Sequence, residues 1–391
     1  MRASIPGNRD LIKAMNRNLL LNTLRREGAL SRTQLTEMSN LSVGAVSQLV
    51  SELIAEDWVF ESGEGDYTGG RRQTFLRLNP DAGYALGLKV METRVVCAVT
   101  NFEAQVRHYS EYPLNPDLNE AAFVRSLAAI VDQTIGASGL AKPAFFGLGV
   151  GLAGVIDSHE GIVLYSPFLG LRSLPLAGML QAHLGMPVAI DNDVNTLTLT
   201  EHLFGAGRHH RNFIVVTVGR GVGMGMVLNG QLYQGMRGGA GELGHNIVDL
   251  ERARRTTPEA GSLENLSADP AVMAASGYES LAEVVQAATD GDHDAQEALR
   301  RSGEFLGVAL AGAINILSPS LVIVSGEGVN AGDFRLKPML EAMRRYTFHD
   351  LLDGVEIVIE PADDRTWARG AATLVLNRVF ESPLVAHQPV G

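Results

Sequence analysis

Apolar residues near the start of the chain recur at helical spacing. Ile12, Met15, Leu20 and Leu24 mark a first helix, closed by Gly28. In SRTQLTEMSN, Ser31 followed three residues later by Gln34 is a capping-box pattern, with Leu35 and Met38 predicted to face inward. After a turn at Ser39–Leu41, Val46, Leu49, Val50, Leu53 and Ile54 follow the i, i+3, i+4, i+7, i+8 rule of a one-faced helix. That leaves Ser42, Gly44, Ser47 and Gln48 pointing outward. Two short strands, WVFE and QTFLRL, flank the loop SGEGDYTGGRR.

Helix, helix-turn-helix and β-hairpin make a winged helix over residues 1–80. Its second paired helix would enter a DNA major groove. Ser42, Ser47 and Gln48 are candidates for reading base edges, and Arg32, Arg71 and Arg72 for phosphates or a minor groove. These residues also leave open a small helical interaction module, since the presumed recognition helix carries no Lys or Arg; the GGRR wing tip argues for DNA.

From residue 81 onward, strands and helices alternate. YALGLKV and RVVCAVTN pair around a turn, and a helix follows near 119–136. FFGLGVGLAGVID and PVAIDNDVN each end a strand in glycine or polar residues, the second leading into the helix TLTLTEHLFGAG. NFIVVTVGRGVGMGMVLNGQLY reads as a hairpin with glycine at 219, 221, 223 and 225. Helices near 279–289 and 292–317 precede the strand SLVIVSGEG. The class is α/β, with ligand sites expected at the carboxyl ends of strands.

Charge divides the chain in the same place. Of its 391 residues, the first eighty hold ten basic and nine acidic ones; the rest hold twenty-two basic and thirty-five acidic, a net −13. The large part should repel nucleic acid, which restricts any polyanion to the N-terminal segment. Cys97 is the single cysteine, so neither an internal disulfide nor a multi-cysteine metal site can form. MRASIPGNRD has no apolar signal core, and PAFFGLGVGLAGVI is too short and glycine-rich to span a bilayer. A cytoplasmic protein with no membrane partner is expected.

The densest candidate chemistry is GGAGELGHNIVD at 238–249, where four glycines surround Glu242 and His245. A Glu and a His three positions apart can exchange protons, hold a metal or grip hydroxyls. Together with GLAGVID, YSPFLGL, PVAIDNDVNTLTLTEHLFGAG and GRGVGMGMVLNGQLYQG, this stretch resembles the ROK family (repressors, open reading frames, kinases) over about residues 81–380. The preceding winged helix resembles that of the family's repressor branch. The resemblance implies an actin-like, ribonuclease-H-like domain at 81–391 with a sugar in its cleft, one lobe at about 81–192 plus the C-terminal helix and the other at about 193–370. It assigns hydroxyl binding to Asn192, Asp193, Glu242, His245 and Glu264. Carboxylates accept from vicinal hydroxyls, and an Asn amide both gives and accepts.

In the family's kinases the residue matching Asp193 is the base that takes the sugar hydroxyl's proton. Their phosphate turn, Asp-x-Gly-Gly-Thr, reads KVMET here: Lys89 replaces the acid, and Met91 and Glu92 replace the glycines. Arg220 stands where the second loop has a hydroxyl, and Glu327 intrudes in a third glycine run. Because positioning and electrostatics are most of phosphoryl-transfer catalysis, neither ATP binding nor kinase activity is expected, and Asp193 is left as a relic base. Three zinc-binding cysteines of many relatives align with Arg255, Thr257 and Ser262, so no zinc is expected and DLERARRTTPEAG must be held by other means. Phe168 stands where relatives often have Asn.

These residues together predict a sugar-responsive DNA-binding regulator of carbohydrate genes, a repressor by resemblance. It is implied to be a homodimer or dimer of dimers on a pseudo-palindromic operator, with a free or phosphorylated monosaccharide as effector. Sugar is expected to close the cleft and change the spacing of the recognition helices. The rival readings are a sugar kinase carrying a DNA-binding domain and a repressor controlled by a protein partner.

Overall fold

A computed structural model describes residues 8–64 and 74–381. Among them, no helix is long and apolar enough to cross a membrane. Helices α1 (Asn8–Glu27), α2 (Arg32–Ser39) and α3 (Val43–Ala55) are joined by strand β1 (Leu30–Ser31) and a turn at Asn40 in the left-handed conformation. The expected capping box is formed: the Ser31 hydroxyl accepts from the Gln34 amide while the Gln34 side chain accepts from the Ser31 amide at 2.9 Å. Strands β2 (Val59–Glu64) and β3 (Thr74–Leu78) complete a three-stranded sheet in the order β1-β3-β2. Val46, Leu49, Val50 and Leu53 are buried as their spacing predicts, against Leu20, Leu21, Leu24 and Leu35. Met38, expected to face inward, is 47% exposed. It lies at the margin of its helix's apolar stripe, where one helical step turns a side chain to water.

The chain continues as β4 (Tyr84–Val90), β5 (Arg94–Asn101), β6 (Val106–Pro113), α4 (Glu120–Ser138) and β7 (Phe145–Leu152). A small sheet of β8 (Val155–Asp157), β9 (Ile162–Ser166) and β10 (Leu171–Leu174) precedes α5 (Leu176–Leu184), β11 (Val188–Asn192) and α6 (Asp193–Phe204). The first main sheet has the order β11-β7-β4-β5-β6; β4 runs antiparallel to β5 and parallel to β7. Next come β12 (Phe213–Val218), β13 (Val222–Leu228) and β14 (Gln231–Leu232). Helices α7 (Leu250–Arg255), α8 (Leu263–Ser267), α9 (Asp269–Ser276), α10 (Leu281–Thr289) and α11 (His293–Leu317) follow. The last elements are β15 (Leu321–Ser325), α12 (Asp333–Tyr346), β16 (Glu356–Ile359) and α13 (Asp364–Phe380), and the second main sheet is ordered β14-β13-β12-β15-β16.

The described residues divide into two compact units. One holds those up to Asp191 with Leu203–Arg208 and those from Ala368 onward; the other holds Asn192–His202 and His209–Trp367. In the first, the winged helix has no core of its own. Its leucines share one apolar cluster with Ala85, Phe102 and Ala104, and with Ala372, Val375, Leu376 and Phe380 of α13. Trp58 meets Phe102 edge-on at 5.2 Å, and Phe102 stacks on Phe380 at 4.9 Å. Gly87 and Gly149 admit α13 onto the sheet: a Cβ at either would lie 2.0 Å or less from the carbonyl oxygen of Ala368 or Ala371.

In the second unit, α11 and α12 cover one face of the sheet, with Ile214, Val216, Val322, Val324, Leu306, Leu310 and Met339 in the shared core.

Candidate functional site

All five residues assigned to the sugar lie in the second unit. Asn192 ends β11 and Asp193 opens α6. The Val194 amide donates to both Asn192 Oδ1 and Asp193 Oδ1 at 2.9 Å. A carboxylate at a helix N-terminus is stabilised by the amides that have no partner there. The tight approach of α6 to β13 depends on glycine. A Cβ at Gly225 would lie 2.0 Å from the Thr198 hydroxyl, and one at Gly223 2.7 Å from Val194.

Glu242 and His245 sit on the glycine-rich loop that follows β14. Gly241 adopts φ +91°, and a Cβ there would lie 1.9 Å from the Met224 carbonyl. Its own carbonyl accepts from the Met224 amide at 3.1 Å, which ties the loop to β13. Only glycine satisfies both conditions. Leu243 is buried and anchors the short 3-10 turn Leu243–His245. His245 Nε2 lies 3.6 Å from Glu242 Oε2, and both side chains reach solvent. Glu264, early in α8, accepts the Val222 amide on Oε2 at 3.0 Å. Burial raises the Glu242 carboxyl above its usual value; His245 opposes this, while Glu264 and Asp193 add to it. Glu242 therefore lies within electrostatic reach of Glu264 and Asp193, and acceptors of this kind suit an uncharged ligand rich in hydroxyls.

The segment aligned with the relatives' zinc loop is held by hydrogen bonds. Asp249 caps α7 by accepting from the Arg252 amide at 2.9 Å. The Val248 and Asp249 amides both donate to the Gly261 carbonyl, and Ile247 bridges Ser262. Ser262 is buried and caps α8, the helix that carries Glu264. Arg255 and Thr257 are exposed. No group of three or more His, Cys, Asp or Glu that could hold a metal ion occurs among the described residues.

Lys89 is buried in β4, and Met91 and Glu92 form the tight turn into β5, closed by the Met91 amide on the Arg94 carbonyl. In the second unit, the Gly219 amide is bound to the Gly221 carbonyl at 3.0 Å, and Arg220 is exposed between them. Glu327 faces Gly219, where a Cβ would lie 2.6 Å from Glu327 Oε2. Glu327 Oε1 also accepts from the Trp367 indole at 2.7 Å. The sequence marked Glu327 as intruding; its partner Trp367, forty residues away, was not foreseen.

On the winged helix, Ser42, Ser47 and Gln48 are exposed. Ser42 caps α3 through the Ala45 amide, and Gln48 donates to Glu52 at 3.1 Å. Arg32 pairs with Glu61 at 3.1 Å, joining α2 to β2. Arg71 and Arg72 lie outside the described residues. Phe168 is 44% exposed.

Comparison with known proteins bears on both halves of the chain. A profile of the ROK family matches residues 85–378, and one described as winged helix-turn-helix DNA-binding matches residues 16–59. A putative xylose repressor of Caldicellulosiruptor sp. is 27% identical, with 96% of this chain and 99% of that protein covered. The DNA-binding transcriptional dual regulator NagC of Escherichia coli is 26% identical, with 97% of each covered. The solved structure of a ROK family transcriptional regulator, described as a homologue of the E. coli MLC protein, superposes with a TM-score of 0.82 at 22% identity. It covers 97% of this chain and 99% of that one.

Proposed function

The chain belongs to the ROK family, and from that premise we propose that it is a sugar-responsive, DNA-binding transcriptional repressor. Its winged helix binds an operator, and its second unit binds the monosaccharide that sets operator affinity. The observation that carries this reading is the gathering of Asp193, Glu242 and Glu264 within electrostatic reach, beside His245, in a chain whose residues 16–59 match a DNA-binding winged helix. Asn192, His245 and the three carboxylates hold hydroxyls. Ser42, Ser47 and Gln48 face base edges, while Arg32, Arg71 and Arg72 meet the backbone or a minor groove. A homodimer would present two such helices to a pseudo-palindromic operator.

The same reading excludes catalysis. KVMET offers side chains where phosphate needs open backbone amides, Glu92 adds a negative charge, and the Gly219 amide is already bound within its own turn. Asp193 then serves as a hydroxyl acceptor, and neither ATP nor zinc is required.

The test is operator binding by fluorescence anisotropy, with and without xylose, glucose or N-acetylglucosamine and their phosphate esters, at fixed salt. One sugar should shift operator affinity tenfold or more; a null result with every sugar overturns the reading. Retention of Asp193 favours one alternative, a working kinase. ATP-dependent phosphorylation of any of these sugars would establish it.

A further inference from the structure

Arg25, in the last turn of α1, is a largely buried cation on the winged helix. Its guanidinium donates through Nη1 to the Leu203 carbonyl at the end of α6. It lies over two aromatic rings, Phe204 at 5.8 Å and Phe380 at 5.2 Å. Nε and Nη2 both donate to Asn22 Oδ1, at 3.3 and 3.0 Å. Among the described residues it has no carboxylate partner. Burial, with Arg26 and Arg208 nearby, lowers its pKa to about 10, so it stays charged at neutral pH. Neighbouring α1 residues extend the arrangement. Asn18 Nδ2 donates to the Val379 and Glu381 carbonyls at 3.1 and 3.0 Å, and Asn22 Nδ2 to the Phe380 carbonyl at 2.7 Å. One face of α1 therefore caps the carboxyl ends of both α6 and α13. A cation at helix C-termini and over aromatic faces is favourable, which offsets burying it without an anion.

The two capped helices are special in the chain's organisation. The division between the compact units falls inside each: between His202 and Leu203 in α6, and between Trp367 and Ala368 in α13. The first residue of α6 is Asp193, and its last two, Leu203 and Phe204, meet Arg25. The first turn of α13 carries Trp367, bound to Glu327, and its last residue, Phe380, is the other ring under Arg25. Apolar packing alone would hold α1 here, because the leucine cluster already spans it. A buried cation on carbonyl oxygens adds directional bonds that hold only one arrangement of these helix ends.

We propose that Arg25 is the positioning residue through which sugar at the start of α6 reaches the DNA-binding helices. Occupancy at Asp193 shifts the population of α6 arrangements, and the Leu203 carbonyl and Phe204 ring pass that bias to α1 through Arg25. The proposal rests on the reading of the chain as a sugar-responsive DNA-binding protein.

The experiment measures three quantities on the full-length chain: sugar dissociation constant by calorimetry, operator dissociation constant by anisotropy, and the ratio of operator constants with and without saturating sugar. Arg25→Met keeps length and apolar contact while removing the directional bonds. It should leave sugar affinity within about threefold of wild type and bring the operator ratio to within twofold of one. Arg25→Lys keeps the charge and should restore part of the ratio. If Arg25→Met does not fold, Phe204→Leu removes one of the two rings and should reduce the ratio in the same way. A wild-type ratio of one would overturn the sugar-responsive reading and the proposal with it. A normal wild-type ratio that Arg25→Met or Phe204→Leu leaves unchanged would overturn the proposal alone.

Discussion

The Trp367 indole donates to Glu327 Oε1 at 2.7 Å, and the same carboxylate lies against Gly219 with its other oxygen. Trp367 is only 6% exposed, so removing Glu327 takes a hydrogen bond from a buried indole N–H. Glu327→Ala should destabilise the fold by about 1–3 kcal/mol, whereas Glu327→Gln, which keeps an acceptor, should cost less than half as much. Urea unfolding followed by tryptophan fluorescence reads both. Equal losses for the two variants would show that this hydrogen bond is not what Glu327 supplies.

Asp193 is held at the start of α6 by the Val194 amide, and the residues proposed to face DNA, Arg32, Ser42, Ser47 and Gln48, lie in the other compact unit. The two roles are therefore separable by mutation. Asp193→Ala or Glu242→Ala should weaken sugar binding at least a hundredfold and leave operator affinity without sugar within twofold. Loss of operator binding in a variant with unchanged circular dichroism would contradict that separation.

The raised carboxyl of Glu242 predicts a pH dependence with a definite sign. The folded protein holds this proton at pH values where the unfolded chain has released it. Its contribution to stability therefore falls as pH rises from the ordinary Glu value of 4.5 through the higher folded value, and is constant above that. Relative to wild type, Glu242→Gln should gain melting temperature across that window and hold the gain up to pH 8. Sugar binding moves the other way. Hydroxyls donate more strongly to an ionised acceptor, so acidification should weaken wild-type sugar binding at a pH above that of an unperturbed Glu. Thermal melts and calorimetry between pH 4.5 and 8 test both signs.

Much of this was legible because period and spacing carry it. Val46, Leu49, Val50 and Leu53 face the core as their rule requires, Ser31 and Gln34 cap as a pair, and glycine at 223 and 225 falls in a strand that lies close to α6, with Gly221 just before it against Glu264 of α8. Met38 was misplaced because an apolar type at a stripe's margin does not say which way its helix is rolled. β1 is two residues long, too short for any periodicity to register. The Trp367–Glu327 and Arg25–Leu203 pairs join positions forty and 178 apart, and nothing local encodes such a meeting. Asn18, Asn22 and Arg25 did carry a signal in their i, i+4, i+7 spacing, a polar stripe beside the leucines of α1. Taken alone, a polar stripe reads as a face turned to water.

The Ser31 capping box offers a stability test confined to the winged helix. Ser31→Ala removes the hydroxyl that accepts from the Gln34 amide at 3.3 Å while leaving the return bond from Gln34 in place. The expected loss is about 1 kcal/mol, with Ser31→Asp close to neutral because Asp also caps. Because the leucines of the winged helix share a cluster with α13, unfolding should remain a single transition for the first unit. A separate early transition for residues 8–78 would show that the shared cluster does not couple them.

The loop between Ile247 and Ser262 decides whether the site needs a metal. Here the Gly261 carbonyl takes two amides, and a Cβ on Gly261 would lie 2.3 Å from the Asp249 carbonyl and 2.7 Å from the Ala253 methyl. Hydrogen bonds and close packing hold this loop. Prolonged EDTA treatment should leave melting temperature and sugar affinity unchanged. Gly261→Val should weaken sugar binding tenfold or more without touching any residue proposed to bind sugar, because the displaced turn shifts Ser262, the cap of the helix that carries Glu264. A chelator-sensitive site, restored by zinc, would mean that His245 has metal partners in solution. An unaltered affinity in Gly261→Val would mean that Glu264 is positioned by α8 alone.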